Sequence, residues 1–210
     1  MKNTLRTNKC LNIGSGCKID YDRYEQYGLT IHVDQGFNEK TSDTLDSAIQ
    51  GTRFKLNGSQ CPKQLCCRSS IFDFVDKFPF KFDMVFAERI FEHMEYVGGE
   101  IGRLLEGLNT LTNPNAKMEI IVPNAILISK ILQDIEKNYK TMDPVVLLNS
   151  LLILNTENHN FRGDAHLSSW TPHIARLYIE SEGTWEIDDI EEQVEFAGRD
   201  IYMRIHCSKI

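Results

Sequence analysis

The sequence LNIGSG at residues 11–16 decides the fold of this chain. A buried strand that runs into Gly-Ser-Gly brings bare backbone close to a ligand, because glycines take up positive φ and leave N–H groups uncovered. Eighteen positions after Gly16, the short apolar run Ile31-His32-Val33 ends in Asp34. In open α/β sheets the ligand crevice lies beyond the carboxyl ends of the strands, where an acid that ends the second strand can accept both hydroxyls of a ribose. The pairing predicts a nucleoside-containing cofactor.

Other interpretations of the glycine pair stay open. Gly-x-Gly turns occur in many ordinary loops, so the pair alone is a weak signal. A dinucleotide fingerprint places a third glycine where this chain has Ile19, which disfavours NAD or FAD. The chain also contains no Gly-Lys-Ser or Gly-Lys-Thr triplet of the kind that ends a P-loop. An NAD or nucleotide-sugar enzyme is therefore the weaker interpretation.

Three more motifs follow the glycine loop. Residues 82–87 read FDMVFA, residues 90–94 read IFEHM and residues 120–124 read IIVPN. Taken with LNIGSG and HVD, they resemble the motifs of class I S-adenosylmethionine-dependent methyltransferases. The resemblance is strongest to the small predicted methyltransferases with LNLGSG, NVD, VLEH and VPN motifs, and it covers roughly residues 9–125. Each motif alone is common, so the order and spacing of the set carry the resemblance.

The chain departs from this family's pattern at two positions. Asn12 stands where many members have an acid, two residues before the first glycine, and Lys18 replaces the usual third glycine. Residues 52–70 also show no legible period, because glycines and a proline interrupt them. These features motivate an alternative function, which is a methyltransferase-like binding or assembly module that has lost catalysis.

The resemblance implies an α/β, Rossmann-like methyltransferase fold, with a mostly parallel seven-stranded sheet, a C-terminal antiparallel hairpin and helices on both faces. It also implies one domain over residues 1–210, with a helical insertion at about 125–165 that covers the substrate side. Residues 199–207 support the hairpin independently, because their apolar positions alternate. The apolar spacing further predicts strands near residues 9–13, 30–33, 82–87, 117–122 and 184–190, and helices over residues 43–50, 99–111 and 171–181.

The resemblance implies S-adenosylmethionine as the cofactor. Backbone at Gly14, Ser15 and Gly16, preceded by Asn12 in the strand, is expected to line the methionine and ribose side of the cofactor site. Asp34 is expected to accept hydrogen bonds from the ribose hydroxyls.

The adenine end of the cofactor is assigned to a second segment, again by resemblance. Asp73 stands at the position that meets the adenine amino group, and Phe72 or Phe74 is expected to flank the ring. An exposed turn acid remains the alternative interpretation of Asp73.

Candidate catalytic residues follow from the reaction that the resemblance implies. Methyl transfer from a sulfonium is an in-line displacement, so much of the rate comes from alignment of donor and acceptor, and only a poor nucleophile needs a strong base. Glu88, directly after the strand predicted at residues 82–87, is the best candidate for orienting an acceptor. His93 belongs to the family's Glu-His pair, which can equally be structural. His166 and Trp170 are expected to form a substrate lip, with a solvated polar loop as the alternative.

Composition limits the partners and the location. A length of 210 residues with 41% hydrophobic content suits one globular domain, and a net charge of −7 makes duplex nucleic acid an unexpected partner. A small-molecule or saccharide acceptor is expected instead, and a homo-oligomer stays open. The six cysteines form no C-x-x-C pair, so we expect no metal site. Without a signal peptide or an apolar stretch of spanning length, cytoplasmic residence is the default.

Overall fold

The computed structural model describes residues 8–14, 16, 19–40, 42–56, 63–96, 99–138, 167–181, 183–196 and 199–210. Within these residues, seven strands form one sheet. They are β1 (Lys9–Ile13), β2 (Leu29–Val33), β3 (Gln64–Cys67), β4 (Phe82–Glu88), β5 (Thr112–Pro123), β6 (Trp185–Phe196) and β7 (Arg199–Lys209).

The sheet has the strand order β3-β2-β1-β4-β5-β7-β6. Its first five strands pair in parallel, whereas β7 pairs antiparallel with both β5 and β6. The innermost strands are buried almost throughout, as expected for parallel strands that are covered on both faces. The predicted mostly parallel seven-stranded sheet with a C-terminal antiparallel hairpin is confirmed.

Five helices and two short 3-10 turns connect the strands in the described part of the chain. Apolar side chains of the third helix recur at the helical spacing of three and four residues and are buried, which explains why this segment is an amphipathic helix. The helices are α1 (Leu45–Leu56), α2 (Ile71–Lys77), α3 (Glu100–Leu111), α4 (Ala125–Asn138) and α5 (Pro172–Ser181), and the 3-10 turns are Tyr21–Tyr24 and Phe91–His93.

The two faces of the sheet are covered differently. Successive residues of a strand point to opposite faces, so each strand contributes to two separate clusters. The larger cluster joins one face of the sheet to α2, α3 and α5, and it includes Leu11, Val85, Ile120, Phe74, Leu104 and Ile179. On the opposite face, smaller clusters bring in the first 3-10 turn and α4, and they include Cys10, Phe86, Tyr24, Ile121 and Ile128.

The predicted helical insertion is described only as far as Asn138, where α4 ends. Residues 139–166 lie outside the described part of the chain, so the predicted cover of the substrate side stays a prediction. Among the described helices, none has both the length and the apolar character needed to cross a membrane.

Candidate functional site at the carboxyl edge of the sheet

The glycine loop begins at the end of β1 and is held by its neighbours. The Gly14 N–H donates to the Val33 carbonyl at 3.0 Å, which joins the ends of β1 and β2. Gly14 has φ +68°, and a Cβ at this position would lie 2.9 Å from Ile90 Cβ. Gly16 has φ +61°, but no atom of the described residues other than its chain neighbours lies within 4 Å of the place that its Cβ would take. Gly14 is therefore required by packing and backbone conformation, whereas Gly16 has open space beside it within the described part of the chain.

Asp34 connects this loop to the second strand. Its Oδ2 accepts a hydrogen bond from the Gly16 N–H at 2.8 Å, and its Oδ1 accepts one from the Gly36 N–H at 2.7 Å. Each carboxylate oxygen has a second lone pair and can accept one more hydrogen bond. The structure thus brings Gly16 and Asp34 together as the sequence predicts, while Ser15, the residue between the two glycines, lies outside the described residues.

Asn12 lies at the start of a hydrogen-bond chain that crosses three strands. Its Nδ2 donates to His32 Nδ1 at 3.0 Å, so the proton of the neutral ring sits on Nε2, which donates to Gln64 Oε1 at 2.9 Å. Gln64 Nε2 donates in turn to the Tyr21 carbonyl. Burial lowers the pKa of His32, which favours the neutral ring that this chain requires. Asn12 Oδ1 is buried and has no hydrogen-bond partner among the described residues.

The segment assigned to adenine forms α2, and its residues separate. Asp73 is exposed, and its carboxylate accepts from Ser70 Oγ at 2.9 Å and from Lys77 Nζ at 2.8 Å. The hydrogen bond from Lys77 lowers the pKa of Asp73. Phe72 is half-buried beneath the Arg103 guanidinium, whose Cζ lies 4.6 Å from the ring centroid. Asp73 therefore lies in the first turn of a surface helix that Ser70 caps, and its contact with adenine stays a prediction.

Phe74 requires a correction. The prediction that its ring flanks the cofactor is contradicted, because Phe74 is 0% exposed and lies in the main core. Its ring stacks on Phe78 with a centroid distance of 4.5 Å. The four-residue spacing of these two phenylalanines places them on the apolar side of α2, which faces the core and not a ligand.

Glu88 is engaged by an arginine from the first 3-10 turn. Arg23 Nη1 forms an ion pair with Glu88, and Arg23 Nη2 lies 2.6 Å from Glu119 Oε1 on the neighbouring strand. The guanidinium also lies over the Phe86 ring, 4.6 Å from its centroid. Burial raises the pKa of Glu88, and Arg23 opposes that rise. The carboxylate thus serves an ion-pair network on one face of the sheet, and its predicted role in orienting an acceptor is untested.

Glu92 and His93 belong to the 3-10 turn that follows β4, and Glu92 is unusual. It is 1% exposed, and no other described residue forms a hydrogen bond to either of its carboxylate oxygens. Burial raises its pKa to about 8, although its own backbone N–H and the charge of Arg89 oppose the rise. His93 is half-buried, and its N–H donates to the Ile90 carbonyl at 3.1 Å. The predicted catalytic role of His93 remains a prediction.

The predicted substrate lip is only partly described. His166 lies outside the described residues, so its catalytic role stays a prediction. Trp170 is 1% exposed, its Nε1 donates to Ser168 Oγ at 3.0 Å, and its ring contacts Phe91 edge to face. A large apolar side chain with its one polar group satisfied is a core residue, so the lip prediction for Trp170 is wrong. The backbone of Ser168 also binds the Glu92 carbonyl and docks this segment on the second 3-10 turn.

Arg89 is a residue that the sequence analysis missed. It directly follows β4, it is exposed, and it has φ +56°, a left-handed conformation that is uncommon outside glycine. Its N–H donates to the Ile121 carbonyl at 2.8 Å. No sequence signal marks an arginine for this conformation, so only the structure reveals it.

Taken together, the edge offers uncovered glycine backbone, a carboxylate with spare acceptor positions and a cation. Among the described residues, no group of three or more His, Cys, Asp or Glu side chains is arranged to hold a metal ion. Such a set suits recognition of a hydroxylated, nucleoside-like ligand by hydrogen bonds.

Comparison with solved structures places the fold among methyltransferases. A SAM-dependent methyltransferase from Methanosarcina mazei is 17% identical, with a TM-score of 0.56 over 97% of this chain and 93% of that one. N-methyltransferase NodS from Bradyrhizobium japonicum WM9 is 8% identical, with a TM-score of 0.55 over 97% of this chain and 86% of that one. The complex of NodS with S-adenosyl-L-homocysteine gives a TM-score of 0.50 at 8% identity, over 97% and 78% of the two chains. No protein-family model and no curated protein matches this sequence. At these identities the likeness shows the fold.

Proposed function

We propose that this chain, which has the fold of class I S-adenosylmethionine-dependent methyltransferases, binds S-adenosylmethionine at the carboxyl edge of its sheet. We propose further that it transfers the methyl group to a small-molecule or saccharide acceptor.

One observation carries the proposal, which is the contact between Gly16 and Asp34. The Gly16 N–H donates to Asp34 Oδ2 at 2.8 Å, and this bond fixes a left-handed glycine next to the acid that ends β2. No described residue beyond its chain neighbours comes within 4 Å of the Cβ position of Gly16, so the described structure leaves room for a ligand against bare backbone. The spare acceptor positions of Asp34 suit two ribose hydroxyls.

A second feature fits the methionine end of the same cofactor. Asn12 Oδ1 is buried without a partner, two residues before Gly14. An orphaned buried acceptor is unfavourable by about 1–3 kcal/mol, and an ammonium group that donates to it would remove that cost. NodS, with the same fold, has been solved with S-adenosyl-L-homocysteine, which supports the same cofactor class here.

The chemistry then divides between cofactor and protein. The bound cofactor supplies an electrophilic methyl group on a sulfonium. The protein supplies position: Asp34 and the glycine loop orient the donor, and the residues after β4 border the space in which an acceptor must align. Ile90 packs against Gly14, so the end of β4 and the cofactor loop are in direct contact.

A second candidate is a binding or assembly module without catalysis. One observation favours it, because the two carboxylates predicted to meet the cofactor already have partners within the chain. Asp34 accepts from two backbone N–H groups, and Asp73 is paired with Lys77. If these bonds leave no favourable geometry for a ligand, the fold serves another purpose.

A label-transfer assay tests the proposal. The purified protein is incubated with S-adenosylmethionine carrying an isotopic methyl label and with a panel of small amines, phenols, carboxylic acids and saccharides. We expect label in at least one acceptor, and we expect Asp34→Ala to lower the rate by about tenfold or more through weaker cofactor binding. Asp189→Ala is the matched control, because Asp189 is exposed on β6. Cofactor binding without transfer to any acceptor would favour the noncatalytic module.

A further inference from the structure

Arg89 lies at the carboxyl edge of the sheet, close to the proposed cofactor loop. It is the first residue beyond β4, at the carboxyl edge of the sheet, and its neighbour Ile90 packs on Gly14 of the cofactor loop. In sheets of this type ligands bind beyond the carboxyl ends of the strands. Arg89 is therefore the chain neighbour of a residue that contacts the loop proposed to hold the methyl donor.

The backbone of Arg89 is held in a strained conformation. A non-glycine residue at φ +56° is uncommon, and such residues concentrate at functional sites. The Arg89 N–H is fixed by the Ile121 carbonyl of the adjacent strand at 2.8 Å. This bond and the packing of Ile90 hold the strained residue in place, so the start of its side chain has a defined direction.

Arg89 also forms no ion pair among the described residues, although the chain is acidic with a net charge of −7. Its side chain is exposed, and its charge acts on the buried Glu92 without a salt bridge between them. Several other arginines are paired with acids. These ion pairs are Arg23 with Glu88 and Glu119, Arg68 with Glu39, Arg103 with Asp76, Arg176 with Glu180, and Arg204 with Glu119 and Glu191.

Glu92 is an acid close enough to be influenced by the charge of Arg89. It lies three residues further on, and both of its carboxylate oxygens are buried without a hydrogen bond from another described residue. An ion pair between the two would satisfy Glu92, yet none is present in the described structure. Glu92 is 1% exposed whereas Arg89 is exposed, so the guanidinium stays open to solvent and to a ligand.

We propose that Arg89 binds an anionic group of the methyl acceptor, either a carboxylate or a phosphate. The planar guanidinium can donate two parallel hydrogen bonds to either group, which fixes orientation as well as position. This inference rests on the proposed function, since it places the acceptor beside the cofactor loop. It narrows the acceptor class to acidic small molecules, among them acidic or phosphorylated saccharides.

Side-chain NMR tests this inference without a known acceptor. Protein with ¹⁵N-labelled arginine is titrated with inorganic phosphate and, separately, with acetate at constant ionic strength, both with and without saturating S-adenosylhomocysteine. Arg89→Gln identifies the Nε–Hε signal of Arg89 by its loss, and it tests how much Arg89 contributes to anion binding. Arg53→Gln is the matched control, because Arg53 is exposed on α1 and forms no ion pair among the described residues.

We expect a saturable shift of the Arg89 signal, and we expect phosphate affinity to fall by about tenfold or more in Arg89→Gln while Arg53→Gln leaves it unchanged. A response to phosphate alone points to phosphorylated acceptors, and a response to both probes extends the acceptor class to carboxylates. Arg89→Gly removes the side chain and relieves the backbone strain, so it is expected to fold at least as well as the wild type yet to lose the response. If Arg89 shifts no more than Arg53, the inference is wrong. Failure to bind S-adenosylhomocysteine would instead overturn the proposed function.

Discussion

Replacing Glu92 with glutamine tests the unpaired buried carboxyl at the second 3-10 turn. Glu92 is 1% exposed, and no other described residue forms a hydrogen bond to either of its carboxylate oxygens. Burial raises its pKa from the ordinary value of 4.5 to about 8. Glutamine has nearly the same shape and carries no charge at any pH. The variant therefore removes the titration of this one group and leaves the remaining titratable groups in place.

The expected size and sign of the effect follow from proton linkage. Between pH 4.5 and about 8 the folded chain keeps the Glu92 proton, whereas the unfolded chain releases it. The stabilisation by this proton is fully present below pH 4.5 and is lost as the pH rises toward 8. Each pH unit within the window costs about 1.4 kcal/mol, so wild type should lose roughly 3–4 kcal/mol relative to Glu92→Gln between pH 5 and pH 8.

Urea unfolding at pH 5, 6, 7 and 8 measures this difference. Trp170 and Trp185 are both buried, so tryptophan fluorescence reports the loss of the core. Subtracting the free energies of unfolding of the two proteins cancels the pH-dependent contributions of the titratable groups that they share. Glu186→Gln provides the control, because Glu186 is exposed on β6 and meets water in both states. If the difference between wild type and Glu92→Gln stays constant with pH, as expected for the control, the reasoning about Glu92 is refuted.

Two glycine predictions use the same unfolding assay. Gly14→Ala combines left-handed strain with a clash against Ile90, so it should lower the free energy of unfolding by about 2–5 kcal/mol. Gly16→Ala introduces only the left-handed strain and should lower it by about 1–2 kcal/mol. Equal losses in the two variants would contradict the described packing of Ile90 against the loop. Gly107→Ala in α3 places a Cβ 2.7 Å from Val75 Cγ2 and should lower stability by about 1–2 kcal/mol, despite a helix-propensity gain of about 1 kcal/mol. Adding Val75→Ala should make the same glycine substitution favourable, and a stabilised Gly107→Ala single variant would show that the α2–α3 contact is looser than described.

Strands and helices with a continuous apolar signal were predictable. The run that enters the glycine loop predicts a strand over residues 9–13, and β1 has those bounds. In contrast, the sequence predicts no strand at β3. The strand has only four residues, and it lies in a segment whose glycines and proline interrupt any apolar period. Its position is set by parallel pairing with β2, a contact between distant parts of the chain that local spacing does not encode.

The start of α2 carries a local sequence signal. Ser70 Oγ accepts a hydrogen bond from the Asp73 N–H, which is the capping arrangement expected from a serine followed three residues later by an acid. The same residues thus carry a helix signal beside the ligand role that the resemblance implies for Asp73, and the structure shows the helix. The sequence Asn113-Pro114-Asn115 is typical of a turn, yet it lies within β5, with Asn115 at φ +63°.

The candidate site was predictable where topology alone decides the geometry. Parallel strands end at one edge, so the sequence brings Gly16 and Asp34 together without knowledge of side-chain packing. The roles of Phe74 and Trp170 depend on which side of the backbone each ring faces in the core, and the motif order does not contain that information. The left-handed backbone of Arg89 is set by its neighbours in space, so the sequence gives no sign of it.

Calorimetric titration with S-adenosylmethionine and S-adenosylhomocysteine tests the central claim most directly. Wild type, Asp34→Ala and Asp189→Ala are compared in the same buffer. The account predicts binding at micromolar concentration by wild type and Asp189→Ala, and an affinity weaker by about tenfold or more in Asp34→Ala, because the ribose hydroxyls and the Gly16 N–H lose their acceptor. Absence of binding by the wild type, or equal affinity in all three proteins, would contradict the cofactor site proposed at Gly16 and Asp34.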